Sequence, residues 1–191
     1  KKNLLLSAFA IIGLMSSISS FADDPNKPAP GRERGGYMGL VAGANFPTGT
    51  FGTSVGPAVG LVAGGQLAKY FGLGVYSAYH WQTSSGSIFG LPTGSTTHQV
   101  DIAGEINVFF AWLHAGMDIG VSVNIWGSSL GPISLGTSSN YAMLIGPEIG
   151  VDFPLMNSSL SVGAEAHFFF YPTLAGSQAN IQVMAALKYW L

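Results

Sequence analysis

Beyond residue 35 the chain carries six acidic residues, Asp101, Glu105, Asp118, Glu148, Asp152 and Glu165, and all six fall on one side of a period-two alternation. Segment 113–126 shows the alternation most clearly. Leu113, Ala115, Met117, Ile119, Val121, Val123 and Ile125 face one way, while His114, Gly116, Asp118, Gly120, Ser122 and Asn124 face the other. Side chains of an extended strand point alternately to opposite faces, so this spacing predicts a strand with one wholly apolar face. An amphipathic helix would need a period of 3.6, which is absent. Segment 96–110 repeats the pattern with Val100, Ile102, Ile106, Val108 and Phe110 against Gln99, Asp101, Glu105 and Asn107. So do 140–153, with Glu148 and Asp152 on the polar side, and 159–171, with Glu165 and His167 there.

A lipid-exposed charge near the middle of a membrane barrel costs about 2–4 kcal/mol, so strict exclusion of charge is what a lipid-facing stripe requires. A soluble barrel would keep the period and exchange the faces. With 8% charged and 48% hydrophobic residues, that arrangement would leave a water-facing exterior with six acids and two lysines beyond residue 35. No run after residue 22 approaches the roughly 18–20 apolar residues of a membrane helix. The 27 glycines favour turns and close packing over helices. With no cysteine there is no disulfide or thiolate chemistry and no lipidated Cys.

Eight alternating segments are expected near 36–46, 57–68, 73–83, 96–110, 113–126, 140–153, 159–171 and 178–191. Long connections (47–56, 84–95, 127–139, 172–177) alternate with short ones (69–72, 111–112, 154–158), the order expected of external loops and periplasmic turns. In lipid an open sheet edge cannot be left unpaired. The prediction is therefore all-β, an eight-stranded antiparallel transmembrane β-barrel with up-and-down meander topology. Aromatic residues near strand ends, Phe46, Tyr70, Phe71, Trp81, Phe109, Phe110, Trp112, Trp126, Tyr141, Phe153, Tyr171, Tyr189 and Trp190, fit interfacial belts.

Residues 1–22 read as a signal peptide: Lys1 and Lys2, an apolar core from Leu4 to Met15, then a small-residue stretch ending at Ala22. Residues 23–35, with three prolines and no apolar periodicity, read as a disordered periplasmic N-terminal arm. Residues 36–191 form the barrel domain. Export with signal-peptide cleavage and residence in the bacterial outer membrane are expected.

The final segment runs from Ile181 to Leu191, with Ile181, Val183, Ala185, Leu187, Tyr189 and Leu191 on one face. It resembles the terminal targeting strand of bacterial outer-membrane barrels, which ends in an aromatic or bulky apolar residue with Tyr two positions earlier. Residues 36–191 as a whole resemble the small eight-stranded barrels of the OmpA/OmpX type. The resemblance implies outer-membrane lipids and the barrel-assembly machinery as partners, the latter through the C-terminal strand, and a monomer. No peptidoglycan-binding domain is expected after the last strand.

Eight-stranded barrels have interiors just wide enough for side chains to fill. The predicted lumen holds Asp101, Glu105, Asp118, Glu148, Asp152 and Glu165 with His80, His114 and His167, and Lys188 as its inward cation. Six confined carboxylates cannot all stay ionised cheaply beside one lysine. Three outcomes are open: a hydrogen-bonded plug, a narrow cation-permeable channel with an acid-lined lumen, or neutralisation by another basic group, for which Arg32 and Arg34 of the arm are candidates, their guanidinium forks entering the periplasmic mouth to pair with Glu105, Asp118 or Asp152. No catalytic site is expected: the chain lacks the His-x-Ser pairing associated with the lipid A deacylase family of barrels and an Asp-Ser pair like that of the palmitoyl-transferring barrel. No cofactor or metal is expected either: of the candidate zinc ligands His114, Asp118 and His167, the first two stand four apart on one strand, roughly 13 Å, too far to share an ion. The four outer segments hold no charged residue, which disfavours nucleic acid and phosphate-rich ligands there. The function expected is non-enzymatic, structural or surface-interacting.

Overall fold

The computed structural model describes residues 35–48, 54–68, 70–88, 91–110, 112–130, 133–155, 159–173 and 176–191. Residues 1–34, holding the expected signal peptide and all but the last residue of the arm, lie outside the described residues, and with them Arg32 and Arg34.

Eight strands follow in chain order: β1 (Gly36–Thr48), β2 (Gly56–Ala68), β3 (Phe71–Ile88), β4 (Leu91–Phe110), β5 (Leu113–Leu130), β6 (Ile133–Pro154), β7 (Leu160–Thr173) and β8 (Gly176–Trp190). Each pairs antiparallel with the next, and β1 pairs with β8 from Tyr37↔Trp190 to Thr48↔Ala179, closing the barrel. Closure leaves the sheet no edge, the condition for crossing a bilayer with strands.

The alternation sorts side chains as expected. Leu40, Leu61, Ile119, Met143 and Ile149 are exposed on the outside, whereas Asp101, Asp118 and Asp152 are fully buried within. All six acids point inward. Glycines on β1 and β2 let neighbouring strands and lumen side chains approach closely. A Cβ at Gly39 would lie 2.6 Å from the Leu187 carbonyl oxygen and 2.8 Å from Lys188 Cγ, so glycine there makes room for the lysine stem.

Two expectations are corrected. Segments 84–95 and 127–139 are continuations of strands: β3 and β4 stay paired from Thr83↔Thr96 to Ile88↔Leu91, and β5 and β6 up to Leu130↔Ile133. Threonine is β-branched and suits a pleated ladder, and pairs such as Thr83↔Thr96 extend the sheet with little apolar content. A register shift between Ser128 and Ser129, opposite Gly136 with φ 110°, bends the second hairpin as a bulge does. The expected aromatic belt also loses members. Phe109 and Tyr171 are buried inside and Trp126 stands on the lumen register at the outer rim, because all three share the parity of the acids, and Trp190, on the parity of Lys188, packs against inner Tyr37 and donates to Ser161.

Candidate functional site: a two-deck polar lumen

The lower deck is built around Lys188 on β8. Its Nζ lies 3.3 Å from Asp152 Oδ1 on β6 and forms a second ion pair with Glu165 on β7. The ammonium also stands 5.1 Å from the ring centroid of Tyr37, within cation–π range. His114 on β5 reaches the same carboxylates, Nδ1 at 3.4 Å from Asp152 and Nε2 at 3.8 Å from Glu165. Glu165 is the link upward, since its Oε2 is 3.6 Å from His167 Nε2. His167 Nδ1 lies 2.9 Å from Asp118 Oδ2 and 3.4 Å from Glu148 Oε2. Cross-strand register explains the gathering: Glu148 faces His167, and Glu105 faces Asp118. Tyr37 donates its hydroxyl to Glu105 at 3.5 Å.

Above this deck lies a layer of rings and apolar side chains. The Tyr76 ring lies tilted with its centroid 4.3 Å from that of His167, and Phe169 stacks at 5.4 Å from the same histidine. Leu144 and Met184 belong to the same buried apolar cluster as these rings and are fully buried.

The upper deck centres on Asp101. Its Oδ2 is 3.0 Å from His80 Nε2, and it accepts from Gln182 Nε2 at 2.9 Å and Tyr171 Oη at 3.1 Å; its Oδ1 accepts from Gln99 Nε2 at 2.9 Å. Tyr76 donates to Gln182 Oε1 at 2.5 Å, tying this deck to the ring layer. Charge-assisted bonds of this kind, when complete, satisfy a buried carboxylate that would otherwise be costly.

The structure therefore brings Glu105, Asp118, Glu148, Asp152, Glu165, His114, His167 and Lys188 into one network and places Asp101 in another. Sequence reasoning put Tyr171 in the membrane belt and overlooked Tyr37 and Tyr76. The available signal was parity, since Tyr76 precedes inward His80 by four and Tyr171 follows inward His167 by four. His114 is turned to Asp152 and Glu165, so it shares no centre with Asp118. Asp118, Glu148 and His167 do offer ligand atoms within 4.8 Å of one another, the constellation among the described residues that could hold a cation.

An apolar exterior, a closed sheet and an interior where buried ionic groups stand beside a cluster of rings and small apolar side chains define an integral membrane β-barrel. The fold is that of the small eight-stranded outer-membrane barrels of the OmpA/OmpX type. Among solved structures, Ail, the attachment invasion locus protein of Yersinia pestis, in complex with the heparin analogue sucrose octasulfate, superposes with a TM-score of 0.59. That match covers 83% of this chain and 100% of Ail at 9% identity. Neisserial surface protein A superposes with a TM-score of 0.56, covering 82% of this chain and 97% of its own, at 12% identity. No family model matches the chain, and no curated protein matches its sequence.

Proposed function

We propose that this chain is a non-enzymatic bacterial outer-membrane barrel whose lumen is plugged and whose work, structural or surface-interacting, is done at the outer rim. The supporting observation is the stack of two polar decks separated by the Tyr76–His167–Phe169 layer, with every one of the six acids buried. A water path would have to break charge-assisted bonds in both decks, which are the stronger class of hydrogen bond. The two inner histidines held by short bonds, His80 and His167, are turned to carboxylates rather than to a hydroxyl nucleophile, which speaks against acyl-transfer chemistry.

On this reading residues 1–22 direct export and are removed, the barrel inserts as a monomer among outer-membrane lipids, and the C-terminal strand engages the barrel-assembly machinery. Arg32 and Arg34 then reach the lower deck from the periplasmic side, and deleting residues 23–35 should lower the unfolding temperature. Ail is by name an attachment protein, and its complex holds a sulfated sugar analogue. Charge-assisted recognition of sulfate draws on Lys or Arg, and segments 47–56, 84–95, 127–139 and 172–177 contain neither. A neutral carbohydrate or a protein surface is the partner class that suits this rim.

The competing reading, a narrow cation-permeable channel, draws on the six acids facing a single lumen lysine. Refolded protein that shows heat-modifiable gel migration should give a silent planar-bilayer record. Small cation-selective steps that fall when Glu148→Gln and Glu165→Gln are introduced would replace the plugged-barrel reading with the channel. If the rim carries the role, trimming the hairpin tips at 86–93 and 130–134 should leave heat-modifiability intact and abolish surface adhesion.

A further inference from the structure

The pairing of β6 with β7 ends at Ile145↔Phe170, although both strands continue outward. Beyond that point β6 stays with β5, as in Tyr141↔Val123, and β7 stays with β8, as in Tyr171↔Gln178 and Pro172↔Ser177. Two hairpins thus part company. The local chemistry accounts for it: continuing the register would set Pro172 opposite Met143, and proline has no N–H to give the ladder. Ladder pairs are also missing across Gly146 and Pro147, just below.

The parting has a definite height. Ten residues from Phe153 to Leu144, tilted as barrel strands are, cross an apolar band of about 25 Å, so the gap begins at its outer boundary. A cleft of about 470 Å³ lies there, reaching from the gap across the outer lumen to Gln99 on β4 and to Asn124 and Trp126 on β5. Its inner wall carries the amides of Gln99, Asn124, Asn140 and Gln178; its outer lip carries Tyr141, Met143 and Pro172. Tyr141 and Met143, 79% and 63% exposed, are the two most exposed large apolar side chains among the described residues. No charged residue lines the cleft. Asp101 below is already bonded to His80, Gln99, Gln182 and Tyr171, and its charge disfavours an anion. Gln99 and Tyr171, both of which line the cleft and donate to Asp101, join its base to the upper deck.

We propose that the barrel opens sideways between β6 and β7, and that this opening binds an uncharged amphiphile from the outer leaflet, its hydroxylated head among the four amides and its alkyl chain leaving over Tyr141 and Met143. Amide donors and acceptors match a sugar-like head, and the lip offers an alkyl chain apolar contact where it meets lipid. The site does not depend on the rim's having a macromolecular partner.

Nanodisc-embedded protein titrated with decyl maltoside, followed by NMR of the Met143 methyl and the Asn and Gln side-chain amides, tests this. Saturable shifts at Met143, Asn140 and Gln178 are expected with decyl maltoside. Maltose alone and decyl phosphate should bind at least tenfold more weakly. The chain has no cysteine, so Met143→Cys with Pro172→Cys can staple the lip, binding then being read from the Asn140 and Gln178 amides alone; the oxidised form should lose saturable binding and regain it on reduction. Asn140→Leu, which needs no staple, should raise Kd at least tenfold. Shifts that do not saturate, equal binding of maltose or of decyl phosphate, binding unaffected by the closed staple, or an unchanged Kd in Asn140→Leu would each overturn the proposal.

Discussion

Lys188 shows what one residue does inside a barrel. It is the sole Lys or Arg among the described residues, 3% exposed, and ion-paired to both Asp152 and Glu165. Removing one partner of a buried pair leaves the other charge uncompensated, at about 3–5 kcal/mol. Lys188→Met should therefore lower the urea midpoint of the refolded protein sharply, and adding Glu165→Gln should recover part of the loss; an unchanged midpoint would show that the pair carries no stability. Parity alone placed Lys188 and the acids in the lumen. It could not say which acids Lys188 meets, because height along the barrel axis is set by the stagger between strands. Asp101 and Asp152 share a face in the sequence pattern, yet the register carries one to the upper deck and the other to the lower.

At the scale of the element, strand existence was legible and strand length was not. Alternation is written into the sequence only where one face meets lipid and the other the lumen. Beyond the bilayer both faces of a hairpin meet water, so 84–95 and 127–139 lose the apolar stripe and, with Pro92 and Pro132, resemble loops. The ladder there rests on Thr and Ser pairs instead. Backbone amides of Thr96, Thr97, Trp126 and Gly127 should accordingly exchange with deuterium slowly, at rates comparable to those of Ile102 and Val121; exchange at unprotected-loop rates would mean that the hairpins do not persist in solution. The β6–β7 break, by contrast, was signalled in part by Pro147 and Pro172, two residues that cannot donate to a ladder.

The whole molecule inverts the arrangement of a soluble protein: apolar side chains cover the outside, and the interior is held by ionic and amide bonds. Its specificity therefore lies in polar contacts inside and its location in apolar contacts outside, which is why substitutions on the two faces should fail differently. Outward Ile119→Lys should impair membrane insertion by about 2–4 kcal/mol, read as the shift in the refolding equilibrium in lipid vesicles, while leaving the lumen bonds in place.

The seam between β1 and β8 carries a further consequence, a kinetic one. Thr48 bonds to Ala179 across 131 residues of chain, and the whole seam joins the first strand to the last. Contacts so distant in sequence form late, because the loop-closure entropy must be met before they return any energy. Until the seam zips, two unsatisfied edges face the bilayer, a state lipid tolerates poorly. Insertion and closure thus belong to one slow, concerted event, and the fifteen residues of β8 decide when the other seven strands become a membrane protein.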